Sequence, residues 1–145
     1  MDKISLISQN KKSIGDLAVD GVIVGLASGL VMIAYLVLVG MIGGEGMGEI
    51  LGRFSPMGDA NPATGLLAHL AVSAIYGLLF GMLSTPLKER RTRLVVGIGY
   101  GLALFFLARY ALLPATGSTL ENISPLNFGI AHLLYGVTLG IFVGK

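Results

Sequence analysis

The sequence predicts an all-α membrane protein, an up-down bundle of four transmembrane helices made of two related helical hairpins. Two observations carry this prediction: 54% of the 145 residues are hydrophobic and only 12% are charged, and the apolar residues gather in four long runs. Soluble domains carry roughly 25% charged residues, whereas a bilayer core about 30 Å thick requires about 20 apolar residues per spanning helix. The chain, 1–145, therefore has room for a single domain of four spans.

The spans and their connections can be placed along the chain. The apolar runs lie at about 17–43, 66–84, 94–113 and 127–143. Glycine, proline and charged residues fill the connections, which is typical of helix breaks, and we expect a short interfacial helix within the long connection 44–64. Asn61-Pro62 and Ser124-Pro125 precede the second and fourth runs. This pattern predicts a polar cap followed by proline in the first helical turn.

Basic residues predict how the spans are oriented. Eight of the ten Lys and Arg residues fall on the side of the chain termini: Lys3, Lys11, Lys12, Lys88, Arg90, Arg91, Arg93 and Lys145. Because cytoplasmic segments of membrane proteins carry an excess of Lys and Arg, we expect a multi-pass protein of the inner (plasma) membrane with cytoplasmic N- and C-termini. The net charge of +2 is too small and too dispersed to indicate a nucleic-acid partner.

An internal repeat relates the two halves of the chain. A shift of 63 positions places His69 on His132 and superposes the two Pro-containing caps. Glycine clusters in the first and third runs match at a different offset. The repeat predicts parallel hairpins, 17–84 and 94–144, related by a pseudo-two-fold axis along the membrane normal. Both histidines then lie at one depth in the outer half of the membrane.

Small residues recur at four-residue spacing on the predicted helices. Such stripes let helix backbones approach closely, which drives helix association in lipid. The candidate packing residues are Gly25 and Gly29 in the first span, Ser73, Gly77 and Gly81 in the second, Gly97 and Gly101 in the third, and Gly136, Gly140 and Gly144 in the fourth.

Three ionisable side chains lie within the spans: His69, His132 and Arg109. Such residues are costly in hydrocarbon and usually face the bundle interior or water. In one interpretation each imidazole hydrogen-bonds a neighbouring carbonyl or tyrosine, and Arg109 reaches the headgroups. In a second, the imidazoles ligate a haem iron or a chlorophyll-type magnesium, with Arg109 balancing a propionate. A third is an outer-leaflet pocket for a quinone or an anionic lipid.

Other kinds of site are not supported. The chain has no cysteine, which excludes disulfides, thiolate metal ligands and cysteine nucleophiles. Two imidazoles without a nearby carboxylate fall short of the three or four ligands that zinc takes. Ser73 follows His69 by one turn, but no carboxylate at that depth would orient the imidazole. We therefore expect neither a metal centre nor an enzyme.

Two segments carry a family resemblance. They are Leu67-Ala68-His69-Leu70 with Tyr76-Gly77-Leu78-Leu79-Phe80-Gly81, and Ala131-His132-Leu133-Leu134-Tyr135-Gly136-Val137-Thr138-Leu139-Gly140. They resemble a group of small, uncharacterised bacterial four-helix membrane proteins, in which the His-Tyr-Gly arrangement of helix 4 is the clearest signature. The resemblance implies the four-helix fold and supplies no activity.

The leading functional hypothesis is a non-enzymatic accessory or structural subunit of a membrane complex. It would contact membrane lipids, assemble with itself or with a larger complex, and hold a haem, a pigment, a quinone or a lipid near His69, His132 and Arg109. The alternative is a small transporter or channel that acts as a homo-oligomer. Transport favours an acidic residue or a broken helix near the bilayer midplane, and the sequence indicates neither.

Overall fold

The computed structural model describes residues 12–145, and all regular structure within them is helical. Four helices are long and apolar enough to cross a membrane, which confirms the predicted all-α fold. The elements in chain order are α1 (Ile14–Ile42), α2 (Met47–Gly52), α3 (Pro62–Leu83), α4 (Arg90–Leu107), α5 (Leu113–Thr116) and α6 (Pro125–Phe142). Lys3 and Lys11, which contributed to the predicted orientation, lie outside the described residues.

All four long helices begin earlier than the apolar runs suggest, and two of them begin at the predicted caps. The Asn61 side chain accepts hydrogen bonds from the backbone N–H groups of the first turn of α3, and the Ser124 hydroxyl accepts one from Asn127 N at 3.2 Å. Pro62 and Pro125 occupy the first turns, where a proline sacrifices no helical hydrogen bond. The predicted caps are confirmed, and the helices begin at the prolines because capping does not depend on hydropathy.

The connection between α1 and α3 contains the expected short helix, α2, which packs on α3. The rest of it is tied down by Asp59, whose carboxylate accepts from the Ser55 hydroxyl at 2.5 Å and from Asn61 N at 3.1 Å. These hydrogen bonds hold the pKa of Asp59 below its usual value. The loop is thus anchored beside the cap of α3.

The third span departs from a regular α-helix. The sequence predicts one helix over 94–113, but α4 ends at Leu107 and a π-helical turn, Ala108–Leu112, joins it to α5. Pro114 explains the change, because its ring would clash with the carbonyl group four residues earlier in an α-helix. The wider turn lets Leu113 N–H donate to Ala108 O instead. The span therefore carries an interruption that the other three lack.

The long helices pack as antiparallel neighbours in the spatial order α3, α1, α6, α4. α1 lies against both α3 and α6, and α4 lies against α6. Leu17 at the start of α1 approaches Gly81 and Gly144, and Arg93 at the start of α4 approaches Gly140. We call this side the termini end, and the side that carries α2, α5 and the 117–124 connection the loop end.

Face-to-face glycines line two of these contacts. The first seam joins α1 and α3 through Gly21, Gly25, Gly77 and Gly81, and the second seam joins α4 and α6 through Gly97, Gly101, Gly136 and Gly140. A Cβ atom at Gly77 would lie 2.5 Å from Gly25 Cα, and one at Gly136 would lie 3.0 Å from Gly101 Cα. No larger residue fits without moving a helix.

Gly144 does not continue the packing stripe of the fourth span as predicted. It lies beyond the end of α6 and has a φ angle of 77°. Glycine adopts this left-handed conformation without the steric cost that other residues incur. Gly144 therefore ends the helix, and it still packs against α1, since a Cβ atom at this position would lie 3.3 Å from Leu17 Cδ2.

Candidate functional site

A cavity of about 250 Å³ lies between α3 and the third span, to which α4 contributes Leu104 and the π turn and α5 contribute the rest, and α6 forms its inner wall. It forms because α3 and α4 pack on α1 and α6 and have little direct contact with each other. Its polar lining residues are His69, Ser73, Tyr76, His132 and Tyr135, and the remainder of the lining is apolar. Val72 of α3 and Leu112 of the π turn line it and are also exposed. The cavity therefore opens sideways between α3 and the π turn.

His69 links α3 to α1 at the wall of this cavity. Its side chain is buried, and Nε2–H donates to the Gly29 carbonyl oxygen at 3.0 Å. The ring of Phe54 stands edge-on to the imidazole, with 4.9 Å between ring centroids. A Cβ atom at position 29 would lie 2.6 Å from Ser73 Cβ. Glycine at position 29 is therefore what brings α3 close enough for this hydrogen bond.

His132 is held within its own helix. Its buried side chain donates from Nδ1–H to Phe128 O, one turn earlier in α6, at 2.8 Å. Phe128 and Phe105 pack around the imidazole, with ring centroids 4.5 and 6.1 Å away. His132 thus makes no hydrogen bond to another helix among the described residues.

Each imidazole retains one nitrogen for a ligand. A backbone carbonyl only accepts, so the bonded nitrogens, Nε2 of His69 and Nδ1 of His132, carry the protons of the neutral rings. Among the described residues no charged side chain lines the cavity, and an apolar environment favours the neutral form. Among residues 12–145, His69 Nδ1 and His132 Nε2 have no hydrogen-bond partner. Both therefore offer a lone pair.

Two tyrosines that the sequence did not single out as site residues complete the cavity. Tyr135 donates its hydroxyl proton to Ser73 O at 2.6 Å and so ties α6 to α3. Tyr100 donates to Tyr76 O at 2.9 Å and packs at a tilt against the ring of Phe80, which closes the space toward the termini end. The spacing in the sequence could have indicated Tyr135, because it follows His132 by about one helical turn and therefore lies on the same face of α6.

Arg109 is not part of the cavity lining. It lies in the π turn and donates from Nη1 to Glu121 O at 2.8 Å. The π turn turns Ala108 and Leu112 toward the cavity instead. Of the three predicted site residues, the structure brings His69 and His132 to one cavity and leaves Arg109 outside it.

The two histidines hold different positions along the glycine seams. A Cβ atom at Gly25 would meet the carbonyl oxygen of Ser73, and one at Gly101 would meet the carbonyl oxygen of His132. His132 thus occupies in the second seam the place of Ser73 in the first, and the place equivalent to His69 lies one turn earlier in α6. The 63-residue offset pairs His69 with His132, whereas the glycine contacts pair Ser73 with His132. The two alignments of the hairpins therefore differ by one helical turn, and the equal depth of the histidines stays a prediction.

These features limit the chemistry of the cavity. Its lining contains no carboxylate to orient an imidazole or to complete a metal site, and the described residues hold no cluster of three or more metal-binding side chains. What remains is an apolar wall with a few converging polar groups, the usual composition of a small-molecule binding pocket.

Residues 16–145 match the model of a family of unknown function, DUF6789. No curated protein and no solved structure matches the chain. The chain belongs to this family, and the predicted resemblance to an uncharacterised family is confirmed.

Proposed function

We propose that this chain, whose family has no assigned function, is a non-enzymatic integral membrane protein. It would hold an apolar molecule with a small polar headgroup between α3 and α4. One observation carries the proposal: a largely apolar cavity contains two buried imidazoles, each with an unbonded nitrogen. Its volume of about 250 Å³ lies just below the roughly 300–1,000 Å³ of pockets that enclose whole small molecules. A headgroup fits inside, and its tail would leave through the lateral opening into lipid.

The orientation in this proposal follows the basic residues. Lys12, Lys88, Arg90, Arg91, Arg93 and Lys145 belong to the termini end. We infer that this end faces the cytoplasm, in the inner membrane, because basic residues accumulate on that side. The cavity and its opening would then lie in the outer leaflet.

A quinone- or lipid-type ligand fits the geometry better than haem. Ligating histidines usually donate Nδ1–H to a second partner and bind iron through Nε2. His132 has that arrangement, but Nε2 of His69 is engaged with Gly29 O. Arg109, the expected partner of a propionate, does not line the cavity. An anionic lipid would likewise meet no cation from the described part of the chain.

We also propose that the protein assembles with a second copy of itself or with a larger membrane complex. Both glycine seams are occupied within the chain, so association would use the outer faces of the helices. On α4 this face includes Gly99, whose Cβ position has nothing within 4 Å, and the exposed Ala103. Mild-detergent purification would show whether other subunits accompany the protein.

Filling the cavity tests the proposal. Ala68 lines the cavity, whereas Ala71, on the same helix, is exposed and lies outside the lining. Lipid extracts of the purified wild-type protein and of the Ala68→Trp and Ala71→Trp variants should be compared by mass spectrometry. We expect a bound apolar species in the wild type and in Ala71→Trp, and its loss in Ala68→Trp.

The same samples discriminate between ligands. An absorption spectrum with a Soret band would assign haem and overturn the proposed ligand class. Equal recovery of the species from Ala68→Trp would mean that it binds elsewhere, on the outer surface of the helices.

A further inference from the structure

The polar groups of the cavity are dominated by hydrogen-bond acceptors. His69 Nδ1 and His132 Nε2 offer lone pairs, because the other nitrogen of each ring donates to a backbone carbonyl. The Tyr135 hydroxyl gives its proton to Ser73 O and so faces a ligand as an acceptor. Ser73 and Tyr76 carry rotatable hydroxyls that can take either role. Within residues 12–145, no lining group is obliged to donate.

We infer that the headgroup bound between α3 and α4 supplies hydrogen-bond donors, and that it is the hydroxyl-bearing, reduced form of a membrane quinone. This inference rests on the proposed function and names its ligand. A hydroquinone carries two O–H donors on a flat ring, matching acceptors contributed by α3 and α6. The oxidised quinone has only carbonyl oxygens and would leave both imidazole lone pairs without a partner, which is costly in an apolar site.

The surrounding rings suit an aromatic headgroup. Phe54 and Phe128 stand edge-on to the two imidazoles, and Phe54, Phe128, Tyr76 and Tyr135 all line the same space. Aromatic pairs favour such edge-to-face and offset contacts. An anionic headgroup finds no compensating charge within residues 12–145, since none of their Lys or Arg side chains belongs to the lining. Acceptors beside aromatic rings therefore select a neutral aromatic diol.

Four small probes test the donor requirement on the intact protein in detergent. They are a benzohydroquinone with a decyl tail, the corresponding benzoquinone, the dimethyl ether of the diol, and farnesol. Calorimetric titration should show the diol binding about tenfold more tightly than the quinone or the ether, equivalent to about 1.4 kcal/mol. Equal binding of the first three probes would overturn the inference and leave the proposed function intact.

Farnesol identifies the source of the hydroxyl group. Weak binding of farnesol with strong binding of the diol supports the hydroquinone. Farnesol binding as tightly as the diol would keep the donor requirement but overturn the aromatic assignment in favour of an isoprenoid alcohol. Failure of all four probes to bind, with an Ala68→Trp variant that retains its co-purified lipids, would instead refute the proposed function.

A His132→Phe variant locates the acceptor. We expect it to bind the diol about fivefold more weakly, as for one lost hydrogen bond, while the affinity for the dimethyl ether stays unchanged. A merely structural role would weaken both probes equally. Should the variant fail to fold, the wild-type preference for the diol over its ether still decides the inference.

Discussion

The first and second seams pack their helices in the same way but differ in the hydrogen bonds that their histidines make. Both use face-to-face glycines that leave no room for a side chain. In the first, His69 crosses from α3 to α1 and donates to Gly29 O, whereas in the second His132 donates back into α6. The glycine contacts thus hold two helix pairs in similar ways, and the polar groups serve the cavity that lies between those pairs.

The largest difference should come from filling a seam. Gly77→Leu places a side chain where a Cβ atom would already lie 2.5 Å from Gly25 Cα, and Gly136→Leu does the same in the second seam. Overpacking of this kind costs typically about 1–3 kcal/mol and occasionally more, and both sites meet backbone that cannot yield. We expect loss of the folded protein in detergent, measured by thermal unfolding and size-exclusion chromatography.

Gly99→Leu is the matched control, because a Cβ atom at this α4 position meets nothing within 4 Å. It should unfold at the wild-type temperature, because this position lies outside both seams. A Gly77→Leu protein that unfolds at the wild-type temperature would show that the first seam is not a close packing contact.

A smaller effect should separate the two histidines. His69→Phe removes a hydrogen bond between helices, and His132→Phe removes one within a helix. Hydrogen bonds between membrane helices contribute about 0.6 kcal/mol on average and at most about 1.7. We expect His69→Phe to lower the free energy of unfolding by about 1 kcal/mol and His132→Phe by less than half of that. Equal losses in denaturant titrations would argue that both rings act only by filling space.

The smallest effect on stability should come from the π turn, which interrupts the third span, whereas α1 is a continuous helix. Pro114→Ala removes the ring that prevents a regular α-helix, so the turn at Ala108–Leu112 should tighten and regain α-helical hydrogen bonds. Hydrogen exchange should slow within this turn, with a stability change below about 1 kcal/mol. Unaltered exchange would mean that the surrounding packing, and not Pro114, imposes the π turn.

Much of the fold could be predicted from the sequence, because hydropathy and helix capping depend on residues that are close together in the chain. Asn61 and Ser124 cap the helices that follow them, and hydropathy located the four long helices to within a few residues. His69 and His132 were noticeable because ionisable side chains are rare in apolar runs. The π turn was missed, since Pro114 near the end of a span is equally consistent with a helix that stops before it.

The site itself was only partly predictable. On a straight helix, the position of Arg109 in the third span predicts that it lies near the two histidines. The π turn instead places its guanidinium group at the Glu121 carbonyl group. The sequence does not predict the role of Tyr135, because its hydrogen-bond partner, Ser73 O, is a backbone atom of α3, which is distant in the chain. Contacts between helices distant in the chain leave no periodic signal in the sequence.

By itself the sequence determined the helical fold, the helix caps and which side chains would be costly in lipid, because hydropathy, capping and proline geometry act within a few residues. Tertiary structure decided that α3 and α4 lie apart and enclose a cavity, and which nitrogen of each imidazole stays free. Those outcomes depend on how closely glycines let α1 approach α3 and α4 approach α6. They are properties of several helices packed together, which no single segment encodes.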